Sequence, residues 1–355
     1  MGKKEHLVIL DIIKICCAVL IYMRHSITMF KCTYGSNLAD GIIRATTLPI
    51  MVCFFVVSGF SLYYNNSNRN LLDAEELRTF YKKRFITLFP VYILVHMLSY
   101  VLVENTLQQK IYSTPVELLG LQSMYGGLFG ISHSGATWFI SSLLLGYFIY
   151  PLVQELLKMN RRCIYLVTSV IFFILVYSEV VMPQIFGVQP GYVNQVFRAI
   201  QLVFGTTLCM AFTEVREGSN KRIAVMMVSN LIITALITGF ALYYNMGIEY
   251  VTTPLYYYLI ALAMLISIKF KPRLLTKSKL IKYAGSLTFY FFILQVFLWR
   301  LSAKVCGLTG FESNKGKLLV SFVLCVALSI LCKELYDKHA QKYLKNKLLK
   351  KYMNN

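Results

Sequence analysis

The sequence predicts an all-α, polytopic membrane bundle of about ten transmembrane helices with cytoplasmic N- and C-termini, and three observations carry that prediction. Hydrophobic residues make up 57% of the 355 and charged residues only 15%, where a soluble domain carries about a quarter charged. Too few polar side chains remain to cover a water-facing surface, so part of the solvent must be lipid. Apolar stretches of about 20 residues, the length needed to cross a bilayer, recur along the chain. Lysine and arginine then fall on alternate sides of those stretches.

The stretches are residues 7–29, 42–64, 84–104, 137–157, 163–182, 194–213, 223–244, 252–270, 286–304 and 316–336. Segment 115–129 is too short and glycine-rich to cross and reads as an interfacial or re-entrant piece. With the N-terminus inside, 26 of the 36 Lys and Arg face the cytoplasm. The outer loops receive Lys31, Lys110, Lys304, Lys315 and Lys317. Dropping one span would invert every later loop and destroy this asymmetry. Residues 1–337 therefore read as a single transmembrane domain, and 338–355 as a basic cytoplasmic tail held by anionic lipid headgroups.

Lys3 and Lys4 before an apolar run resemble a signal peptide. Asp11 and Lys14 interrupt that run, however, and no small-residue cleavage site follows, so 7–29 is expected to be a retained span. The expected location is the cytoplasmic membrane. A net charge of +20 would suit a nucleic-acid partner, but the basic residues lie in short runs between apolar stretches, not on one face. Nucleic-acid binding is excluded on that ground. The nine cysteines are odd in number, and no C-x-x-C occurs. Neither a disulfide framework nor a zinc site is expected, and no metal.

Ionisable groups inside a span cost about 2.5–3.5 kcal/mol each, so each needs a reason. The first span holds Asp11, Lys14, Arg24 and His25. Lys14 and His25 are eleven residues apart, about three turns, so they share one side of the helix with a rise of roughly 16 Å between them. One account pairs Asp11 with Lys14 at i and i+3 and leaves His25 as a satisfied polar residue. The other lays a long ligand along the stripe, its phosphates near Lys14 and its reactive end at His25, where an imidazole suits general-base work.

Further along, FFVVSGF places Ser58 and Gly59 in the second span, either for close helix packing or at a ligand. FYKKRFITLFP sets Lys82, Lys83 and Arg84 at the inner interface, as topology requires, and these could also clamp a polyphosphate arriving from the cytoplasm. TWFISSLLLGYFIYPLV opens with Trp138, a residue that usually anchors at the interface. His133 and Arg198, near the outer side, are further candidates for substrate contact.

In order and spacing these elements resemble the integral-membrane acyltransferase family three, which includes O-acetyltransferases of bacterial surface polysaccharides. The matching segments are LDIIKICCAVLIYMRH, FFVVSGF, the basic run before Pro90, WFISSLLLGYFIYP and AGSLTFYFFILQ, from Leu10 to about Leu301. The resemblance implies His25 as the catalytic residue and Lys14 as its basic companion. It implies Arg84 as the first member of an R-x-x-R pair holding the donor's phosphates, although Thr87 stands at the second position. Leu143 and Gln295 replace a Glu and a His that many members carry. The implied donor is acetyl-CoA and the implied acceptor a glycan or polysaccharide hydroxyl. Ten spans with internal charges also fit a transporter or flippase for a glycan or lipid-linked intermediate. The charges concentrate in the first span, however, and no paired glycine- or proline-broken helices are seen in the two halves. A third, non-catalytic alternative is a scaffold for polysaccharide export.

Overall fold

The long apolar runs have only one way to satisfy their backbone polar groups in lipid, which is within each helix. In the computed structural model, which describes residues 5–103, 105–124, 132–214, 218–270, 278–311, 313–337 and 343, no strand occurs among the described residues. The helices are α1 (Val8–Met29), α2 (Asn37–Ala45), α3 (Thr47–Asn66), α4 (Ala74–Leu102), α5 (Leu107–Leu118) and α6 (Trp138–Met159). They continue with α7 (Ile164–Phe186), α8 (Gln195–Thr213), α9 (Ser219–Tyr243), α10 (Ile248–Lys269), α11 (Lys279–Leu308) and α12 (Asn314–Leu335).

Nine helical stretches among the described residues are long and apolar enough to cross a membrane, with α2 and α3 counting as one. α1, which carries Asp11, Lys14 and Arg24, is not among the nine, yet it packs against α3 and α11 as part of the bundle. The ten expected spans thus each meet a helix. Several helices begin well before their apolar stretch. α4 starts at Ala74 because Asp73 caps it, accepting from the Glu75 and Glu76 amides at 3.0 Å. α11 starts at Lys279 under a Ser278 cap. Hydropathy marks the stretch that lipid accepts, whereas capping marks where the helix begins. Segment 115–129 is occupied in part by α5, whose capping box at Thr106 and Gln109 starts it earlier still; residues 125–131 lie outside the described residues, as does most of the 338–355 tail.

Up-and-down alternation is visible in hydrogen bonds that tie helix ends together. At the N-terminal end of the bundle, the Tyr64 hydroxyl donates to the Glu5 carbonyl (3.1 Å) and the Lys158 ammonium to the Arg69 carbonyl (2.6 Å). At the opposite end, the Tyr22 hydroxyl donates to the Leu318 carbonyl (3.1 Å) and Arg300 to the His133 carbonyl (2.7 Å). α1 and α11 run in the same direction, since Asp11 lies against Gly285 and His25, further along α1, lies against Trp299.

α3 and α8 make the most extensive helix pairing. Glycine is required there: a Cβ on Gly59 would sit 1.8 Å from the Leu202 carbonyl oxygen, and one on Gly205 2.0 Å from that of Val56. Two backbones in direct contact leave no room for a side chain on either. Of the two readings open for Gly59, helix packing or a donor site, the structure carries helix packing. Ser58 donates its hydroxyl to the Phe54 carbonyl one turn back (2.7 Å).

Candidate active site

His25 lies near the far end of α1. Its ring meets the Trp299 indole edge-on, with centroids 5.2 Å apart, and the Gln295 carboxamide borders it from the same face of α11. Gln295 itself is fully buried and donates to the Phe292 carbonyl (2.9 Å). His25 Nδ1 is buried with no hydrogen-bond partner, and so is Nε of the neighbouring Arg24. A buried polar atom without a partner costs about 1–3 kcal/mol, and a ligand that hydrogen-bonds Nδ1 would recover that cost.

Lys14 presents the other outcome. Its ammonium stands 2.6 Å from Asp11 Oδ1, and Asp11, buried against Gly285, also takes the His6 imidazole. The i, i+3 pair expected as the plain alternative is present. Lys14 and His25 still lie along one seam, because the carboxylate holding Lys14 and the ring of His25 both abut α11. The side chain of Lys14 remains 30% exposed at the N-terminal end.

The basic run at the start of α4 opens onto two clefts that share Arg84. Lys83 and Arg84 line a polar cleft of about 480 Å³ with Asn65, Asn66, Arg69 and Glu76, in which Arg69 pairs with Glu76 and bonds Asn66 Oδ1 at 3.0 Å. Lys82 is half-buried on the same turn and is not among the lining residues of that cleft. A second, mainly apolar cleft of about 440 Å³ runs past Arg84 to Tyr147, Ser141 and Gln195. The Arg84 guanidinium lies 5.3 Å from the Phe80 ring centre and 5.4 Å from that of Tyr147, and its Nε is buried without a partner. Thr87 turns its hydroxyl to the Lys83 carbonyl (2.8 Å) and adds no cation.

At the opposite end, Trp138 is buried and not an interfacial anchor. It packs on Tyr192, with centroids 5.0 Å apart, and both rings flank the Arg198 guanidinium at 5.8 and 5.4 Å. Arg198, 1% exposed, donates to the Tyr192 carbonyl (2.8 Å) and to Gln201 Oε1 (2.9 Å). Burial raises the Tyr192 phenol to about 12 against the pull of Arg198 and Arg24, so it remains a hydrogen-bond donor at neutral pH. Tyr192, Arg198, Glu179, Glu249 and Tyr250 line a cleft of about 220 Å³, and Glu179 Oε2 is buried there without a partner. The sequence pointed to Trp138 and Arg198 but not to Tyr192, Glu179, Trp299 or Gln295. Gln295 stood out as a motif departure; the others carry no local signal, because they meet the site from loops and helices distant in the chain. His133 is enclosed with Glu117 and His96 in a separate buried cluster.

An all-α bundle that spans the membrane, with an enclosed imidazole on a charged first helix and a cationic cleft at one end, defines a membrane-embedded protein with a histidine-centred polar seam. The family model for acyltransferase family three, described as an acyltransferase domain, matches residues 7–334, and the chain belongs to that family. It is a membrane acyltransferase. No curated protein and no solved structure gives a significant match.

Proposed function

We propose that the protein transfers an acetyl group from cytoplasmic acetyl-CoA to a hydroxyl of a cell-envelope or exported polysaccharide, with His25 as the catalytic residue. The N-terminal end of the bundle, rich in Lys and Arg, is the cytoplasmic one, and the host membrane is the cytoplasmic membrane. The observation that carries the reading is the buried, unpartnered Nδ1 of His25, set against Trp299.

The donor's phosphates and adenosine match the polar cleft at Lys83 and Arg84, with Lys82 and Lys14 adding positive charge at the same end. The apolar cleft that continues past Arg84 suits a pantetheine-like arm. The acceptor sugar meets the opposite end, where Trp138, Tyr192 and Arg198 offer aromatic faces and hydrogen-bond donors. His25 takes the proton of the acceptor hydroxyl as its oxygen attacks the thioester carbon; the new C–O bond forms as the C–S bond breaks. The imidazolium then returns the proton to the departing thiolate, which leaves as free coenzyme A.

The test uses purified protein in lipid nanodiscs with radiolabelled acetyl-CoA and an oligosaccharide acceptor. Labelled acetyl ester on the acceptor, lost in His25→Ala while the variant still elutes as a folded species, is the expected result. Undiminished transfer by His25→Ala removes the catalytic role. Counterflow of a glycan in proteoliposomes without any acyl transfer would make the protein a carrier.

A further inference from the structure

We propose that His96, Glu117 and His133 form a binding site for one divalent transition-metal ion, with zinc the best match. The three residues come from α4, α5 and the segment leading into α6, and their exposures are 6%, 2% and 2%. Each offers one ligand atom, and these atoms lie within 4.8 Å of one another. The arrangement is directional. Glu117 Oε2 faces both imidazoles, in contact with His133 Nδ1 and 3.5 Å from His96 Nδ1. Its other oxygen, Oε1, accepts from the Ser132 hydroxyl (2.6 Å) and the His133 amide (2.7 Å).

Neither ring nitrogen of His96 has a hydrogen-bond partner, nor has His133 Nε2. Unpartnered imidazole nitrogens are costly in a buried site, and of these three His96 Nδ1 is the one that faces the carboxylate. A buried carboxylate facing two imidazoles is a donor set that a divalent cation matches. Two His and one Glu are a ligand set for zinc, with metal–nitrogen and metal–oxygen distances near 2.0–2.2 Å and a fourth position open to water. Ligands at that distance from a tetrahedral ion stand about 3.4 Å from one another. His96 Nδ1 and Glu117 Oε2, 3.5 Å apart, already meet this, and the His133 ring, now in contact with Oε2, would move outward to admit the ion. The surroundings hold the ligands in place, as outer partners of a metal site do. Tyr100 stacks on His133 with centroids 5.0 Å apart, Tyr92 meets His96 edge-on at 4.5 Å, and Arg300 bonds the His133 carbonyl.

No cysteine spacing announces this site, because its ligands are spaced by about twenty and sixteen residues and meet only through packing. The ion would fasten α5 and the segment before α6 to α4. Arg300 would extend the tie to α11, one residue beyond the Trp299 that covers His25.

The experiment uses full-length protein purified through a histidine-free tag, stripped with chelator, exposed to Zn²⁺ or Co²⁺ and desalted. About one equivalent of zinc per chain is expected by elemental analysis, and the Co²⁺ form should show the visible bands of a tetrahedral nitrogen/oxygen site. His96→Gln and Glu117→Gln should each weaken zinc affinity beyond the roughly 10–100-fold that loss of an outer partner costs, while His6→Gln leaves it unchanged. Wild-type protein without stoichiometric metal would overturn the proposal. So would a sulfur-to-cobalt charge-transfer band, which would assign the ion to cysteines. Wild-type affinity in both ligand variants would overturn it as well.

Discussion

The α3–α8 pairing and the α1–α11 seam are both helix contacts in the middle of the bundle, and they are built on opposite principles. At α3–α8 two glycines let carbonyl groups of the facing helix come within 2.0 Å of where a Cβ would be, so the contact is backbone on backbone and leaves nothing unsatisfied. At α1–α11 the aromatic packing of Tyr22 on Phe291 and Trp299 is mixed with polar side chains, Asp11 against Gly285 and His25 against Trp299, and His25 Nδ1 is buried without a partner. Lipid tails are as apolar as leucine, so close packing is the main attraction between helices in a membrane. The partnerless atom at this seam costs stability, and the function proposed above assigns that atom to the ligand. The comparison teaches that stability and activity should separate cleanly between these two contacts.

The largest expected effect breaks the first contact. Gly59→Leu or Gly205→Leu must push α3 and α8 apart, at a cost of about 3 kcal/mol or more, and the variants should fail to elute as a monodisperse species in detergent. Gly59→Ala is the milder version and should lower the melting temperature measurably. An unchanged melting curve for Gly59→Ala would show that the crossing is loose. Next in size, His25→Ala should reduce acyl transfer at least about 10²-fold while its melting temperature stays near wild type, because the lost ring gives up no hydrogen bond at Nδ1. A variant that melts early and keeps its activity would reverse the assignment of the two contacts.

Lys14 sharpens the comparison further, since it lies on α1 with His25 yet is engaged in an ion pair. Lys14→Arg should retain activity and Lys14→Ala should lose it. The double variant Asp11→Asn with Lys14→Met removes both charges, so it spares the buried carboxylate an unpaired state. If Lys14 serves only Asp11, the double variant recovers activity; if it serves the donor, activity stays lost. The smallest effect is expected at Arg84. Arg84→Gln should raise the KM for acetyl-CoA about tenfold, in line with loss of a charge-assisted hydrogen bond worth about 1.5–3 kcal/mol, with little change in kcat. An unaltered KM would place the donor elsewhere.

Much of this architecture was legible before any fold was known. Each expected span from 7–29 to 316–336 corresponds to a helix, since hydropathy reports the solvent that a segment requires. Helix starts were less legible: α4 and α11 begin ten and seven residues before their expected spans, because polar caps at Asp73 and Ser278 propagate a helix into water. α2 is a separate element under a Ser36 cap that hydropathy merged with the next span. In the site, the eleven-residue spacing predicts that Lys14 and His25 share one side of α1; the structure sets His25 against Trp299 of α11 and pairs Lys14 with Asp11, which abuts Gly285 of the same helix. The spacing could not show that Asp11 occupies the Lys14 ammonium. Nor could it show that Gly59 faces a backbone and that Arg198 is sealed beneath Trp138 and Tyr192.

The sequence by itself determined the solvent of each segment, the number of crossings and the residue types too costly to be in lipid without a use. Those properties belong to single residues and their spacing along one helix, so they are local and additive. Which costly residues remain partnerless was decided only in the tertiary structure. Asp11 satisfies Lys14, Gln201 and Tyr192 satisfy Arg198, and nothing among the described residues satisfies His25 Nδ1 or the two nitrogens of His96. The satisfied pairs lie within six residues along the chain, whereas the packing of His25 against Trp299 and the meeting of His96, Glu117 and His133 depend on which helices meet and at what height.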